Sequence, residues 1–377
     1  MPFLTSNNLK LIIVKLNSNL TTPEFLDKTY LPSLDGWRAV AILMVILGHA
    51  KLSIQENSIG YKFLETFIYP DLGVRIFFIL SGFLITSLLL KELISTGKII
   101  LIHFLAKRAL RIFPVLYLYT ITVFMVSSHY QLNITNVQFL GMLFYYTNFI
   151  MFNLPWLCGH TWSLSVEEQF YVLWPIMIYF LKNRIWWCTL LIIVLTQFLR
   201  ILWYKAGFYI ETLGPFFNGA DAIFLGSLLS ILCFRGVFNS FEKYWLKGYL
   251  YLAAIILIFF IYYCTHRGMF GKLLLPLGHI VSDTAIAYLL LATIINTKGL
   301  TFKILNNPLM VKLGIISYSL YIWQQLFIIP INFYPNVLPR AAFPFNILIS
   351  IIAALLSYYG FERYFLNLKK RLKPNIL

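Results

Sequence analysis

The stretch from Leu34 to Ala50, LDGWRAVAILMVILGHA, places an arginine and a histidine in an otherwise apolar segment. The eleven steps from Arg38 to His49 close three helical turns with roughly 20° left over, so a helix presents both side chains on one stripe, roughly 16 Å apart. Histidine suits general base chemistry near neutral pH, and arginine binds phosphate groups. An interfacial arginine and an ordinary helix-end histidine would fit the same pattern. Whether Arg38 and His49 have a chemical or only a structural role therefore depends on which other ionisable groups lie at similar depths in the membrane.

Further ionisable residues fall near the ends of other apolar runs. They occur in DLGVRIFFILSGFLITSLLLKE, in GHTWSLSVEEQFYVLWP and at the start of two later runs: Arg75, His160, Glu167, Glu168, Asp221 and Asp283. Charged groups at membrane depth are costly unless they face the interior of a helix bundle and find partners there. The pattern therefore predicts a polar pocket that these groups share with His49 and that opens on the outer side.

A basic cluster lies in HFLAKRALRIFPVLY, where Lys107, Arg108 and Arg111 occupy about one helical turn. Such residues can simply set membrane topology. They can also bind a polyanion on the cytoplasmic side, because guanidinium groups bind phosphate in a bidentate manner. Arg38, at the inner end of its span, would complete such a site.

Composition determines what kind of element must carry these residues. The chain is 60% hydrophobic, 18% aromatic and only 12% charged, and its mean hydropathy is +0.78. These values are typical of a polytopic membrane protein. The net charge of +16 lies in short loops between apolar runs, which indicates topology signals and argues against nucleic-acid binding. The four cysteines are far apart and have no metal-ligand spacing, so no metal is expected.

The hydropathy pattern predicts an all-α fold, a polytopic integral membrane bundle of about ten transmembrane helices. The predicted spans are 37–54, 74–92, 112–128, 165–181, 185–203, 220–234, 248–264, 279–297, 313–331 and 343–361. Basic residues then favour the inner side by more than two to one. An eleventh span near 137–154 would reverse that bias, so the segment near 137–160 is predicted to be re-entrant or interfacial.

The same topology predicts three regions. Residues 1–30 form a cytoplasmic arm, because the apolar run LIIV is too short for a signal peptide or a span. Residues 31–365 form the membrane domain, and residues 366–377 form a basic cytoplasmic tail. Both termini are therefore expected on the cytoplasmic side, with membrane lipids as the surrounding partner.

Several motifs in order resemble the acyltransferase-3 family of integral membrane O-acyltransferases. They are Arg38 followed by His49, then GVRIFFILSGFLITSLLLKE, RALRIFPVLY, HTWSLSVEEQFYVLWP and SYSLYIWQQ, and they span about residues 31–365. The resemblance implies a bundle of about ten helices in a bacterial inner membrane. It also implies transfer of an acyl group, most commonly acetyl, from cytoplasmic acyl-CoA to a sugar hydroxyl of an envelope glycan such as lipopolysaccharide O-antigen.

In that family the arginine and histidine of the first span are regarded as essential, which carries over to Arg38 and His49. This chain departs from the family at Gln324, where many members have a histidine. Some members also carry an extracytoplasmic hydrolase-like domain. We expect the 377 residues to leave no room for one, so that the membrane domain works alone or with a separate partner.

Acyl transfer to an alcohol needs a base and stabilisation of the developing oxyanion. We predict His49 as the general base, oriented by Glu167 or Glu168. Because adjacent helical residues point about 100° apart, only one of these two carboxylates is expected to face the pocket. Arg75 is a candidate for oxyanion or substrate contact, or alternatively pairs with Asp71 or a carboxylate of the fourth span.

The remaining candidates divide into two groups. The phosphates of the donor are expected to contact the basic residues Arg38, Lys107, Arg108 and Arg111. The acceptor is expected to contact His160, Asp221 and Asp283. Structural alternatives stay open for the second group. His160 can help to cap the fourth span, where Ser165 stands three residues before Glu168 at capping-box spacing. The two aspartates can be helix N-caps.

A transporter or flippase for a glycan or lipid-linked sugar is the rival function, since such proteins also place charges at helix ends around a cavity. No repeat of the Arg38 to His49 pattern or of HTWSLSVEE occurs in the second half of the sequence. This absence favours acyl transfer.

Overall fold

The computed structural model describes residues 12–13, 20–27, 30–206, 215–238, 246–334 and 341–372, and nearly all of them are helical. Most of the predicted arm over 1–30, and residues 373–377 of the predicted tail, lie outside these ranges. The only strands in the described part are β1 (Ile12–Ile13) and β2 (Lys98–Ile99), which pair antiparallel. The predicted all-α class therefore holds for the bundle itself.

The longer helices follow the predicted apolar runs. In chain order the helices are α1 (Pro32–Lys51), α2 (Ile59–Phe67), α3 (Pro70–Thr96), α4 (Leu101–Tyr130), α5 (Asn136–Phe144), α6 (Trp156–Gly159), α7 (Thr161–Leu181), α8 (Ile185–Lys205), α9 (Pro215–Phe234), α10 (Gly248–His266), α11 (Gly271–Ile295), α12 (Leu300–Leu305), α13 (Pro308–Phe327), α14 (Phe345–Ser357) and α15 (Arg363–Arg371). We call the membrane face at which α1 begins the proximal face and the opposite one the distal face.

Each of the ten predicted spans falls on one of these helices, but the number ten is not established. Within the described residues, seven helical stretches are long and apolar enough to cross a membrane: Ser33–Lys51, Ile59–Thr96, Leu101–Tyr130, Trp156–Lys205, Gly248–His266, Leu277–Ile295 and Phe345–Arg371. The stretch Trp156–Lys205 covers both α7 and α8. A shorter apolar helical stretch, Gly219–Phe234, lies within α9. The chain is thus an integral membrane helix bundle by length and composition.

The segment near 137–160 is broken, as predicted, and does not form a continuous span. It consists of α5, a 3-10 stretch over Thr147–Asn153 and the single turn α6. Asn148 and Gln169 exchange two side-chain hydrogen bonds, both 2.9 Å long. The Thr147 hydroxyl lies 2.8 Å from that of Ser165. These contacts attach the broken segment to α7 and satisfy polar groups that are buried there.

Glycines allow α3 and α9 to approach closely. A Cβ added at Gly82 would lie 1.9 Å from the carbonyl oxygen of Ile223, and one added at Gly226 would lie 2.1 Å from that of Ile79. Only glycine leaves room for backbone at these two crossing points. The α3–α9 pair, together with α1 packed on α13, forms the frame that surrounds the candidate site.

Candidate active site

A cavity of about 100 Å³, here called the central cavity, lies between α1, α3, α4, α7 and α13. Apolar side chains of α3 form much of its wall. Its charged and hydroxyl-bearing lining includes Arg38, Arg108, Arg111, Glu167, Glu168 and Tyr171. The cavity therefore collects three of the four predicted phosphate-binding residues and both predicted carboxylates.

Arg38 is held in place from its own helix. Its Nη1 lies 2.5 Å from Oδ1 of Asp35, three residues earlier. The Tyr30 hydroxyl donates to the other oxygen of that carboxylate at 2.6 Å. Because the carboxylate is fixed on both sides, the guanidinium that it orients loses little further freedom when it binds a ligand.

The other two arginines have no carboxylate partner in the described part of the chain. The Arg108 guanidinium lies over the rings of Phe104 and Tyr171, 5.7 Å from each ring centre. Neither Arg108 nor Arg111 forms a salt bridge within the described ranges. Their donors therefore remain available for an anion, which suits bidentate binding of phosphate.

Both carboxylates of the VEEQF motif line the central cavity, so the prediction that only one of them faces the pocket is wrong. Glu167 accepts hydrogen bonds from the hydroxyls of Ser81 and Tyr171, each 3.0 Å long. Oε1 of Glu168 is buried and has no hydrogen-bond partner among the described residues. The cavity wraps around enough of α7 for two side chains about 100° apart to reach it.

A second cavity of about 210 Å³ adjoins the first near the proximal face. It lies between α1, α3 and the segment that precedes α1, and Arg38 and Leu84 line both cavities. Tyr30, Asp35 and Lys91 supply most of its remaining polar surface. A ligand bound by Arg38 therefore has space on both sides of the guanidinium.

His49 lies at the distal end of α1 and contacts an amide instead of a carboxylate. Its Nδ1 is 3.1 Å from Oε1 of Gln324 on α13, and its ring packs edge-on against Trp156, 5.3 Å between centres. Because an amide oxygen only accepts, Nδ1 carries the proton and Nε2 presents a lone pair. The predicted orientation of His49 by Glu167 or Glu168 is thus wrong. Those carboxylates lie deeper along α7, where Glu167 bonds to Ser81 and Tyr171.

His160 repeats this arrangement beside His49. Its Nδ1 lies 2.7 Å from Oε1 of Gln325, and its buried Nε2 has no partner among the described residues. Ser163 and Tyr321, which line the central cavity, both donate to the His160 carbonyl oxygen, at 3.1 and 3.0 Å. His160 precedes α7, but its side chain makes no capping hydrogen bond, so the capping alternative is wrong. These bonds place the histidine pair next to the distal end of the cavity.

Comparison with known proteins agrees with this arrangement. A family model described as an acyltransferase domain matches residues 31–360. The chain belongs to the acyltransferase-3 family. The family predicted from the sequence motifs is therefore confirmed, and the match includes every charged residue that lines the central cavity as well as both histidines.

Two relatives of this acyltransferase-3 chain come from Staphylococcus aureus. The O-acetyltransferase OatA of strain NCTC 8325 is 27% identical over 362 residues, which cover 88% of this chain and 57% of OatA. A protein of strain COL that carries the provisional name of O-acetyltransferase is 29% identical over 371 residues, which cover 89% and 57%. The chain thus spans little more than half the length of these relatives. No solved structure matches it significantly.

The two glutamines of the SYSLYIWQQ motif are site residues that sequence reasoning largely missed. The predictions from sequence mark Gln324 only as a departure from the family pattern and assign no role to Gln325. They are 0% and 3% exposed and each holds one histidine. The available signal was the pair of amides in an apolar helix, since a buried polar side chain needs a partner.

The predicted roles of Arg75, Asp221 and Asp283 do not fit their surroundings. Arg75 donates from Nε to Asp283 Oδ1 at 2.8 Å and lies 2.9 Å from Asp221, which also pairs with Arg200 at 2.5 Å. None of the three lines the central cavity. The salt bridges recorded for Arg75 among the described residues are with Asp221 and Asp283 of α9 and α11, and not with Asp71 or an α7 carboxylate, as the alternative prediction has it.

The N-cap alternative for the two aspartates is also wrong. Asp221 lies six residues into α9 and Asp283 twelve residues into α11, so both are inside helices. With Arg75 and Arg200 they form a buried cluster of two positive and two negative charges, every member 4% exposed or less. Such a balanced cluster fixes four helices relative to one another, which is a structural role.

Lys107 is partly buried and does not line the central cavity, unlike its neighbours Arg108 and Arg111. It is nevertheless part of a wider positive region. Lys369 on α15 interacts electrostatically with Arg111, Arg108, Arg38 and Lys107. In the described residues, no group of three or more His, Cys, Asp or Glu side chains is arranged to hold a metal ion.

Proposed function

We propose that this chain is a membrane O-acyltransferase that moves an acetyl group from acetyl-CoA to a hydroxyl of an envelope glycan sugar. One observation carries the proposal. A cavity with three arginines, two of them without a salt bridge among the described residues, leads by way of Ser163 and Tyr321 to two histidines, each bonded through Nδ1 to a glutamine. Anion binding and proton transfer are the two requirements of a transferase that uses a coenzyme A thioester.

The arginines are proposed to hold the phosphate groups of the donor. Arg38 and His49 lie on one stripe of α1, roughly 16 Å apart along its axis. In coenzyme A the pantetheine arm separates the thioester from the phosphates, so a donor bound by Arg38, Arg108 and Arg111 can present its acetyl group near the histidines. The second cavity, which Arg38 also lines, offers space for the nucleotide portion.

His49 is proposed as the general base. Its Nδ1–H donates to Gln324, which leaves Nε2 to take the proton from the acceptor hydroxyl. As the hydroxyl oxygen forms its bond to the acetyl carbon, the carbon–sulfur bond breaks and the leaving thiolate receives the proton from the imidazolium. The products are the O-acetyl sugar and coenzyme A, and no other reactant is needed.

The two glutamates are proposed to position the arginines and offset their charge. Glu167, fixed by Ser81 and Tyr171, and Glu168, with its unpartnered oxygen, share the cavity with Arg108 and Arg111. Carboxylates beside guanidinium groups keep the empty cavity from carrying three unbalanced charges. His160, held by Gln325, is proposed to accept a hydrogen bond from a further hydroxyl of the acceptor sugar.

The acetyl group, the glycan and the location belong to the same proposal. The names of the S. aureus relatives specify O-acetyl transfer. If the proximal face is cytoplasmic, as the basic residues predict, the donor enters from the cytoplasm and the acceptor meets it near the distal face. A bacterial inner membrane with both termini cytoplasmic, and an acceptor such as lipopolysaccharide O-antigen, would satisfy that geometry.

The decisive experiment measures ester groups on purified surface glycan by mass spectrometry. Cells with the intact chain should show a fixed mass increase per acetyl group, and His49→Ala should abolish it at equal membrane abundance. The matched control is His129→Ala, since His129 is exposed and remote from the cavity. Unchanged ester content in the His49 variant would reject the proposal. Altered glycan export with unchanged esters would instead indicate a transporter.

A further inference from the structure

The last helix brings another cation to the phosphate-binding end of the bundle. Lys369 lies on α15, which packs against α4, the helix that carries Lys107, Arg108 and Arg111. The positive charges of these residues and of Arg38 act on Lys369. Lys369 is partly buried and forms no salt bridge with a carboxylate of the described residues. Five cationic side chains thus converge near the proximal face.

The junction before α15 fixes the position of that helix. Tyr358–Glu362 forms a π-helical turn between α14 and α15, and the buried Glu362 accepts a 2.5 Å hydrogen bond from Ser319 on α13. From this anchor α15 packs against α4, the helix that carries Arg108 and Arg111. Lys369 is therefore held beside the arginines by packing on both sides of the turn.

Such an arrangement is unfavourable without a ligand, because like charges repel. Glu167 and Glu168 in the central cavity offset only part of the five positive charges, and only Arg38 forms a salt bridge. A ligand with several phosphate charges would offset the repulsion. Coenzyme A carries a diphosphate and a separate 3′-phosphate monoester, and the monoester alone carries a charge of about −2 near neutral pH. The three arginines of the central cavity suffice for the diphosphate, which leaves the two lysines, Lys107 and Lys369, for the monoester, and of these Lys369 is the one on α15.

We propose that Lys369 binds the 3′-phosphate of the donor, so that α15 forms part of the donor site. This inference rests on the proposed function and specifies its donor as a 3′-phosphorylated coenzyme A thioester. A phosphate on an anionic lipid has the same chemistry, and a basic amphipathic helix at a membrane surface is a common site for such lipids. Removing the 3′-phosphate from the donor, or adding an anionic lipid to the bilayer, distinguishes a donor phosphate from a lipid phosphate.

The test compares acetyl-CoA with acetyl-3′-dephospho-CoA, using the full chain in phosphatidylcholine nanodiscs. For Lys369→Ala we expect the KM for acetyl-CoA to rise about tenfold with kcat unchanged, as for a lost hydrogen bond to a charged group. The KM for the dephospho donor should stay at the value of the intact chain. Lys369→Arg should restore most of the preference for acetyl-CoA.

The control is Lys370→Ala, which removes the same charge from the exposed neighbouring position of α15 and should leave both KM values unchanged. An equal rise for both donors in Lys369→Ala, or no rise for either, overturns the inference while leaving acetyl transfer intact. A rise in KM that appears only when phosphatidylglycerol is added, and that is equal for both donors, assigns Lys369 to lipid binding and also overturns the inference. Absence of turnover by the intact chain with acetyl-CoA would instead reject the proposed function.

Discussion

The Nδ1 atom of His49 lies 3.1 Å from Oε1 of Gln324, although the two residues are 275 positions apart in the chain. The contact joins the distal end of α1 to α13. It means that a neutral amide, which cannot stabilise an imidazolium ion as a carboxylate does, fixes the orientation and tautomer of the proposed base. In the proposed mechanism, Gln324 therefore presents Nε2 of His49 to the acceptor.

Removing that amide should lower kcat without changing donor binding. For Gln324→Ala we expect kcat to fall about 100-fold, because a misoriented base loses most of its contribution, whereas the KM for acetyl-CoA stays constant. Gln324→His should retain more activity, since an imidazole can also accept from Nδ1. Steady-state kinetics on purified protein will check this. Equal activity of Gln324→Ala and the exposed-site control Gln55→Ala would contradict the role of the amide.

Loss of one cavity arginine should have the opposite kinetic signature. Arg108→Ala or Arg111→Ala is expected to raise the KM for acetyl-CoA at least tenfold, because each removes a charge-assisted contact to phosphate. Replacement by lysine should recover only part of the loss, since it keeps the charge but not the bidentate geometry. The measurement is donor saturation kinetics at constant ionic strength.

Arg184→Ala is the control for these variants, since Arg184 is exposed at the α7–α8 junction and outside the cavity. It should leave the KM unchanged. If the cavity arginines changed kcat alone, donor binding would not be their function.

The sequence predicted where the helices lie but not how deep each residue would be. Apolar runs determine where a helix can cross a bilayer, so the ten predicted spans all fall on helices. Their ends were less certain, since α7 begins at Thr161 and not near 165. Glu167 therefore lies roughly 9 Å into its helix, at the level of Ser81 and too deep to meet His49.

The sequence could not predict which distant residues pair with each other, for a different reason. Which helices become neighbours depends on packing between surfaces, such as the glycine contacts of α3 and α9, and not on hydropathy. Arg75 is predicted from the sequence to contact the oxyanion or substrate, or alternatively to pair with Asp71 or a carboxylate of the fourth span, and instead it bonds to Asp283. In contrast, the Arg38–Asp35 contact is local, three residues apart on one helix.

The glycine contacts give a prediction about stability. Gly82→Ala should destabilise the bundle by about 1–3 kcal/mol, because its methyl group would overlap the Ile223 carbonyl oxygen and force α3 from α9. Gly60→Ala in α2 is the control, since no atom lies within 4 Å of the added Cβ. Thermal unfolding in detergent compares the two. Equal midpoints for both variants would show that the α3–α9 crossing tolerates a side chain.

The buried charge cluster should contribute to folding and not to chemistry. Arg75→Met leaves Asp283 buried without its main partner and should cost about 3 kcal/mol or more in unfolding free energy. The double variant Arg75→Met, Asp283→Leu removes one charge of each sign and keeps the Arg200–Asp221 pair. It should therefore be more stable than Arg75→Met alone, and its KM for acetyl-CoA should match that of the intact chain. Unfolding midpoints and donor kinetics on both variants separate the alternatives. A stable double variant with no activity would show that Arg75 belongs to the catalytic site. A double variant less stable than Arg75→Met alone would show that Arg75 and Asp283 do not stabilise each other as a pair.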